Sequence, residues 1–492
     1  MAGIGFELKK LFGKTYIYSK VRGVIHSVFS TIGHLLIIVA LLVFIHVMLK
    51  RTGISWEYKE LFSCAVLYAF VFPLIFTSGL NMLMSRYLAD NLYMGNNEKV
   101  LPSMFGGLAV ILLFSSVVGA IFYVISPIPF WFKFFAYILY IEMCIVFFLM
   151  IYVSAIKNYK SISISFFTGI TISGILVYFI MQKDMSDLTR VTLLLLAMDI
   201  GMFIVMTGII ITIRNHFKIV SRNYFDFLKY LRKFPNLFLC NLFYTLGLYA
   251  HNFVFWVYPQ TSLFLRRTYL YSPDYDMATF VGMLTILPAT VFFVVRMETS
   301  FYGYYKKYIE TISGGTAKDI EIARNEMKRV LWQEFIYVLE VQLILSLLLI
   351  VIGMKLLPLL GLSALTIECF PFLACGYYFT FLMFITTTVL LYFENQKDAR
   401  KICFFFMITN MLFTLISVIM GSQYYAIGFV FSGFVSFIAA IKLLSDTVNR
   451  IDYIVFCNQL IRPKVYNSRF ERFIDWLNNS KEKTANKTEY LN

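Results

Sequence analysis

The chain consists of long apolar segments separated by short polar ones. Twelve apolar runs are long enough to cross the hydrocarbon core of a bilayer, which is about 30 Å thick. They lie at roughly 23–49, 61–87, 103–125, 134–156, 161–181, 191–213, 234–258, 277–297, 333–357, 366–393, 402–420 and 426–443. The first run is too long for the apolar core of a signal peptide, and no small-residue cleavage motif follows it. The pattern predicts an all-α integral membrane protein with about twelve transmembrane helices.

Basic residues are distributed unevenly between the two sets of loops. Of the 43 Lys and Arg residues, 34 fall in the termini and the loops on the same side as them, and nine fall in the other loops. Basic residues accumulate on the cytoplasmic side of a membrane. We therefore predict that both termini are cytoplasmic.

Composition agrees with a bilayer protein. Hydrophobic residues make up 59% of the chain and charged residues 14%, with a mean hydropathy of +0.74. A water-soluble fold cannot bury so much apolar surface. The net charge of +15 does not indicate nucleic-acid binding, because the basic residues separate apolar runs instead of clustering on one polar face. The seven cysteines mostly lie within apolar segments, so we expect neither a disulfide framework nor a metal site.

Two halves with similar features can be distinguished. Pro73 and Pro288 occupy matching places in spans two and eight, and Arg86 and Arg296 end those two spans. Paired proline-interrupted helices in two halves are typical of transporters. The alternative is coincidence among residues that are common in membrane helices. We predict two pseudo-symmetric six-helix bundles.

The same features predict five regions. They are a cytoplasmic amphipathic N-terminal segment (1–22), a first transmembrane bundle (23–213), a basic amphipathic linker (214–233), a second bundle (234–443) and a cytoplasmic amphipathic tail (444–492). Within the second bundle, the loop at 298–332 is predicted to form a cytoplasmic helix that runs into span nine. Thr316 and Asp319 resemble its capping box. The amphipathic stretch 470–477 of the tail is typical of a helix that lies among lipid headgroups or docks a partner.

Polar residues inside the spans are functional candidates, because ionisable groups are costly in a bilayer. Span one contains His26, His34 and His46, and span seven is the most polar. The candidate transport-cavity residues are Arg86, Glu142, Asp199, Asn241, His251, Asn252, Arg296, Glu298 and Glu340. For the acids in spans four, six and nine the alternative is structural pairing between helices. For His251 the alternative is a position in the wet interface.

The external loop from Pro259 to Asp276 offers a second set of candidates. Aromatic rings beside hydrogen-bonding cations suit sugar rings, although they suit a membrane interface equally well. The candidate external sugar contacts are Arg266, Arg267, Tyr269 and Tyr271.

The chain lacks the patterns of an energy-converting or catalytic protein. It has no P-loop sequence, and no span shows a nucleophile–base or metal-ligand spacing. We expect no enzymatic activity and no cofactor. Another protein or an ion gradient must therefore supply the energy for any transport.

Four stretches of sequence resemble the PelG family, the membrane transport subunit for the Pel exopolysaccharide. They are Met1-Ala-Gly-Ile-Gly-Phe-Glu-Leu8, Ser85-Arg86-Tyr-Leu-Ala-Asp90-Asn-Leu-Tyr93, Asn241-Leu-Phe-Tyr244 with Phe253-Val-Phe-Trp256, and Ser272-Pro-Asp-Tyr275-Asp276 continuing to Arg296-Met-Glu298-Thr-Ser-Phe-Tyr302. The resemblance covers essentially the whole chain except the C-terminal tail. The first octet and the Arg-x-Glu-Thr segment are its most specific parts.

The resemblance implies a fold and an assembly. The fold is that of the multidrug/oligosaccharidyl-lipid/polysaccharide exporter superfamily, with two six-helix bundles facing a central cavity. The implied partners are a cytoplasmic glycosyltransferase, a cyclic-di-GMP-binding membrane subunit and another Pel membrane subunit. In that scheme the transferase makes an N-acetylhexosamine-rich polymer, and this chain carries it across the cytoplasmic (inner) membrane to the biofilm matrix. No catalytic residues are implied.

Other functions stay open at this point. A flippase for lipid-linked oligosaccharides belongs to the same superfamily. A non-transporting scaffold could anchor a polysaccharide synthase through the cytoplasmic helices. A drug or cation antiporter is disfavoured, because its cavity would favour acidic and apolar residues over the basic candidates found here.

Overall fold

A computed structural model of the chain describes residues 33–156, 159–217, 221, 223–296, 300–454 and 478. The predicted N-terminal segment (1–22), the stretch 470–477 of the tail, His26 and Glu298 lie outside the described residues, as does the side chain of His34. Within the described part, regular structure is helical apart from one short hairpin.

The helices and strands follow one another along the chain with short connections. They are α1 (Gly33–Arg51), α2 (Trp56–Tyr93), α3 (Val100–Ile125), α4 (Phe130–Ile156), α5 (Tyr159–Gln182), α6 (Asp187–His216), α7 (Leu228–Lys233), α8 (Pro235–Val257), β1 (Leu263–Leu265), β2 (Tyr269–Tyr271), α9 (Pro273–Leu284), α10 (Leu287–Arg296), α11 (Tyr302–Gly314), α12 (Ala317–Leu359), α13 (Ala364–Tyr392), α14 (Gln396–Met420) and α15 (Ile427–Asn449).

The membrane architecture predicted from the apolar runs is confirmed. Among the described residues, eleven helical segments are long and apolar enough to cross a membrane. They correspond to the second to twelfth predicted runs, and α1 covers the described part of the first. The sidedness of the termini stays a prediction.

The helix predicted to lead into span nine is also present. Thr316 accepts a hydrogen bond from the backbone N–H of Asp319 at 3.3 Å, and Asp319 accepts one from the N–H of Thr316 at 3.1 Å. This capping box begins α12, which continues for 43 residues. At 1.5 Å per residue the helix is about 65 Å long, roughly twice the thickness of the hydrocarbon core. Its polar first half therefore extends beyond the span.

Of the two helices predicted to be interrupted at a proline, one is interrupted and the other is not. Helix α2 continues through Pro73 without a break. The chain does break before Pro288, where α9 ends at Leu284 and α10 begins at Leu287. Proline alone does not end a transmembrane helix, because neighbouring side chains and helices can satisfy the backbone groups that it frees. Of these two spans, only span eight is discontinuous in the described structure.

Backbone contacts divide the described chain into two compact units. The N-terminal unit contains His34–Leu246, Phe264–Leu270 and the tail residue Asn478. The C-terminal unit contains Gly247–Leu263 and Tyr271–Ile454. The division falls inside α8, so the linker at 214–233 groups with the first unit.

Helix α4 is central to the N-terminal unit, where it packs against α2, α3 and α6. The linker that follows α6 packs closely on α3. A Cβ atom placed on Gly106 would lie 1.9 Å from the carbonyl oxygen of Tyr224, and Phe227 is fully buried beside it. Only glycine permits this approach of the linker backbone.

Helix α13 is central to the C-terminal unit, where it packs against α9, α12, α14 and α15. It is the most buried of the candidate spans, with 78% of its apolar window inside the protein. Gly376 of α13 faces Phe429 of α15, whose ring carbon would lie 2.3 Å from an added Cβ.

Replacement of Gly106 by alanine tests the contact between the linker and α3. We expect Gly106→Ala to destabilise the protein by about 1–3 kcal/mol, because the Tyr224 backbone must move. Gly303→Ala is the matched control, since it lies in a helix with open space around it and gains helix propensity. The measurement is the thermal unfolding temperature of each purified variant in the same detergent. Equal unfolding temperatures for the two variants would contradict the close packing.

Candidate functional site

Glu142 on α4 and Asp199 on α6 form a buried carboxylate pair in the N-terminal unit. Their exposed fractions are 6% and 5%, and the two groups interact electrostatically. Among the described residues, Glu142 Oε2 and both carboxylate oxygens of Asp199 have no hydrogen-bond partner. A buried charge without partners costs several kcal/mol. Two bound protons, or one proton and one monovalent cation, would neutralise the pair.

Helices α5 and α6 cross closely at a position near Asp199 along the chain. A Cβ atom on Gly201, two residues beyond Asp199, would lie 2.8 Å from Cβ of Ser173 on α5. Ser173 is fully buried, and its hydroxyl also has no partner within the described part of the chain. Clusters of three or more His, Cys, Asp or Glu side chains that could hold a metal ion do not occur among the described residues.

The C-terminal unit contains a different kind of polar cluster, centred on Asp276 at the start of α9. Its carboxylate accepts hydrogen bonds from Asn252 Nδ2 at 2.8 Å and from the backbone N–H of Ser272 at 3.0 Å. Trp256 Nε1 donates to both carboxylate oxygens at 2.9 Å. Asn252 and Trp256 are four residues apart on α8, so one face of that helix presents both donors. The carboxylate is fully hydrogen-bonded although it is buried.

His251 belongs to the same region and lies in the protein interior, not in the wet interface. Its Nδ1 shares a hydrogen bond of 2.9 Å with the hydroxyl of Tyr275, and its ring lies 4.3 Å from that of Phe429. Phe255 stacks on Tyr275 with ring centroids 3.5 Å apart. The structure thus joins the neighbouring residues His251 and Asn252 to Tyr275, Trp256 and Asp276, which were not selected as candidates.

Asn241 holds two helices together. Its side-chain amide donates to the carbonyl oxygen of Ser78 at 2.7 Å, which links α8 to α2. Gly79 allows the approach, because an added Cβ would lie 2.7 Å from the Phe238 ring. The amide of Asn241 is therefore committed to packing in this conformation.

Arg86 and Arg296 have similar surroundings in their separate units. Arg86 forms an ion pair with Asp90 at 3.1 Å, and its guanidinium lies 5.3 Å above the ring of Phe234. Arg296 forms an ion pair with Glu334 at 3.6 Å and lies 4.2 Å above the ring of Tyr337. Both arginines remain about one-third exposed. Each side chain is thus partly exposed and lies beside an aromatic face.

Glu340 does not join these clusters. It lies on α12 with an exposed side chain.

The hairpin β1–β2 places the four external candidates differently from one another. Tyr269 and Tyr271 are buried, so they do not present their rings to an external sugar in this structure. Burial raises the pKa of the Tyr269 hydroxyl well above its usual value. Arg266 pairs with Glu57 and lies over the ring of Tyr58. Arg267 alone of the four is exposed without an ion pair in the described structure.

The hairpin is tied to the N-terminal unit by hydrogen bonds. Tyr68 donates to the carbonyl oxygen of Leu270 at 2.8 Å and accepts from its N–H at 3.0 Å. The hydroxyls of Ser126 and Thr268 are 2.7 Å apart. Arg266 and Arg267 both have positive φ, 47° and 49°, in a tight turn that favours Asn-Gly. The docking contacts offset the strain of this turn.

A third cluster joins α11 and α12 to the end of the last span. Tyr308 donates to Asp452 Oδ1 at 2.7 Å, and Arg324 donates to Oδ2 of the same carboxylate. Partial burial would raise the pKa of Asp452, but these hydrogen bonds and the nearby cations outweigh it and hold the pKa below its usual value. Sequence reasoning missed this cluster, because its residues lie far apart along the chain.

A known family profile matches most of this chain. The PelG family profile, described as "Putative exopolysaccharide Exporter (EPS-E)", matches residues 1–456. The chain belongs to the PelG family. No curated protein matches its sequence.

Solved structures show that this PelG chain has the fold of MOP-superfamily transporters. An outward-facing multidrug resistance MATE family transporter of that superfamily aligns with a TM-score of 0.58 and 13% identity, covering 87% of this chain and 96% of the other. A MOP superfamily transporter from Pyrococcus furiosus Vc1 gives the same values. An inward-facing MATE transporter aligns with a TM-score of 0.54, covering 84% and 99%. At 13% identity these similarities show the fold alone.

The two buried aspartates should respond in opposite ways to neutralisation. We expect Asp276→Asn to lower the free energy of unfolding by about 1–3 kcal/mol, because the new amide cannot accept every bond from Asn252, Trp256 and Ser272. Asp199→Asn loses no hydrogen bond, so the stability should be unchanged or higher. The measurement is thermal unfolding of both variants in one detergent. An equal loss for Asp199→Asn would show that Asp199 has a structural partner.

Proposed function

We propose that this chain exports a Pel-like, N-acetylhexosamine-rich exopolysaccharide across the cytoplasmic (inner) membrane for a biofilm matrix. The observation that carries the proposal is the PelG match over residues 1–456 in a chain with a transporter fold. The family description itself names an exopolysaccharide exporter. The solved structures with a similar fold support the proposed architecture, and they give no information on the substrate.

In this proposal the chain moves the polymer and does not synthesise it. A cytoplasmic glycosyltransferase supplies the polymer, and a cyclic-di-GMP-binding membrane subunit and another Pel membrane subunit complete the assembly. Apart from α1 and the polar first half of α12, the described residues outside the candidate spans form only short elements, namely α7, the hairpin and α11. This distribution supports a division of labour in which a partner performs the catalysis.

Glu142 and Asp199 are the groups that we propose to couple transport to an ion. These two unpartnered carboxylates are tolerated in a dry interior only when two protons, or one proton and one monovalent cation, neutralise both of them. A conformation that admits water would favour the charged form and release the ion. Occupancy of the pair would then bias the unit between two conformations, which is the requirement for an ion to drive transport.

Arg86 and Arg296 are the residues that we propose to contact the sugar chain. Each combines guanidinium donors with an aromatic face, Phe234 for Arg86 and Tyr337 for Arg296. Sugar hydroxyls accept hydrogen bonds from guanidinium groups, and the C–H face of a hexose packs on aromatic rings. Both arginines are exposed enough to exchange part of their present contacts for a sugar.

Secretion of polymer in a deletion strain tests the proposed function. The strain is complemented with the wild type, with Glu142→Gln/Asp199→Asn, or with Arg86→Ala/Arg296→Ala. We expect each double variant to lower extracellular polymer at least tenfold while polymer accumulates inside the cell. Glu310→Gln is the control, because this acid lies on the surface of α11 with a side chain that is 66% exposed. Membrane insertion and transferase association are checked for every variant.

Other outcomes of this experiment would assign a different role. Normal export by both double variants would contradict the proposed path and favour the scaffold. Accumulation of lipid-linked oligosaccharide, instead of free polymer, would favour the flippase.

A further inference from the structure

Helix α12 lies at the periphery of the C-terminal unit. Only 22% of its apolar window is buried, compared with 78% for α13. Its exposed residues recur at spacings of three, four and seven, which places them along one face of the helix. They include Ile336, Leu343, Leu347 and Val351, each between 42% and 61% exposed. We refer to these four residues and Glu340 as the outer face of α12.

Glu340 lies within the outer face, close to its N-terminal end. Apolar members of the face precede it by one turn and follow it over three. Glu334, which pairs with Arg296, is six residues away, so Glu340 lies about 9 Å further along the helix axis into the apolar part of the span. Among the described residues, no hydrogen bond or ion pair involves the Glu340 side chain.

Helix α3 serves as a comparison for α12, because the apolar surface of both helices is largely exposed. Its apolar window is also 22% buried. Its exposed residues include Leu113, Val117, Ile121 and Val124, and the helix contains no charged residue. Helix α3 therefore has no counterpart of Glu340. Acidic groups facing hydrocarbon are rare because they are costly, and they usually pair with a cation or a hydrogen-bond donor.

We propose that the outer face of α12 binds a transmembrane helix of a different membrane subunit, which carries Lys or Arg at the depth of Glu340. Interhelical polar pairs stabilise association in membranes, and the apolar members of the face supply the packing around the pair. The inference adds an interaction surface to the proposed assembly. It does not depend on export, since a scaffold would need the same contact.

A second copy of this chain does not fit the outer face. Two copies in one membrane associate about a twofold axis along the membrane normal, so equivalent residues lie at equal depth, and a helix that packs on its own copy brings them close together. Glu340 would then face Glu340, and the like charges would repel each other. A basic residue on a different subunit removes this repulsion.

Co-purification after co-expression tests the surface. The full chain is expressed in turn with the cyclic-di-GMP-binding membrane subunit and with the other membrane subunit, and each complex is isolated in a mild detergent. We expect one of them to be retained by the wild type and reduced at least tenfold by Glu340→Leu. Val117→Ala on α3 is the control and should retain the partner. The chain alone should show the same unfolding temperature with Glu340→Leu, which separates lost association from lost folding.

A charge exchange tests whether the bound helix carries a basic residue opposite Glu340. Glu340→Lys should also lose the partner, and replacing the partner's membrane-embedded Lys or Arg by Glu should restore it. Full retention of both subunits by Glu340→Leu would overturn the proposal. So would a homodimer that depends on Glu340, or a crosslink from position 344 to residues 1–32 of the same chain. Loss of export by Glu340→Leu with association intact would place Glu340 in the transport path instead.

Discussion

Inside a bilayer every backbone amide must find its hydrogen-bond partner within the protein, and the rest of this structure depends on that constraint. It explains why the described chain is almost entirely helical and why α2 continues through Pro73. The one hairpin lies outside the candidate spans. There its backbone is held by the Tyr68 hydroxyl, which both donates to and accepts from Leu270.

Under the same constraint, the buried acidic side chains differ in whether hydrogen-bond donors surround them. Asp276 is surrounded by donors from α8 and its own helix start, so it stabilises the C-terminal unit. Glu142 and Asp199 lack such donors among the described residues, so they contribute little to stability when neutral and are unfavourable when charged. A fold retains an unfavourable group of this kind where function needs it. From this contrast we propose that Asp276 has a structural role and that Asp199 has a role in transport.

The sequence allowed the fold to be predicted well because the periodicity and length of apolar runs depend on the bilayer alone. The capping box at Thr316 could likewise be predicted, because its two residues lie three positions apart in the sequence. The sites were harder to predict. Tyr269 looked like an external sugar contact but is buried, and Asp276 was not selected although it organises the C-terminal polar cluster. Burial and partner choice are set by contacts between residues distant in sequence, as between Tyr308 and Asp452, which no local pattern records.

Translocation in proteoliposomes tests the central claim most directly. The purified chain is reconstituted with its glycosyltransferase and membrane subunits so that synthesis occurs outside the vesicle, and a glycoside hydrolase is then added to that side. We predict that newly made polymer becomes protected from the hydrolase only when the chain is present, and that Glu142→Gln/Asp199→Asn removes the protection. Polymer that stays fully degradable in the presence of the wild-type chain would contradict the account.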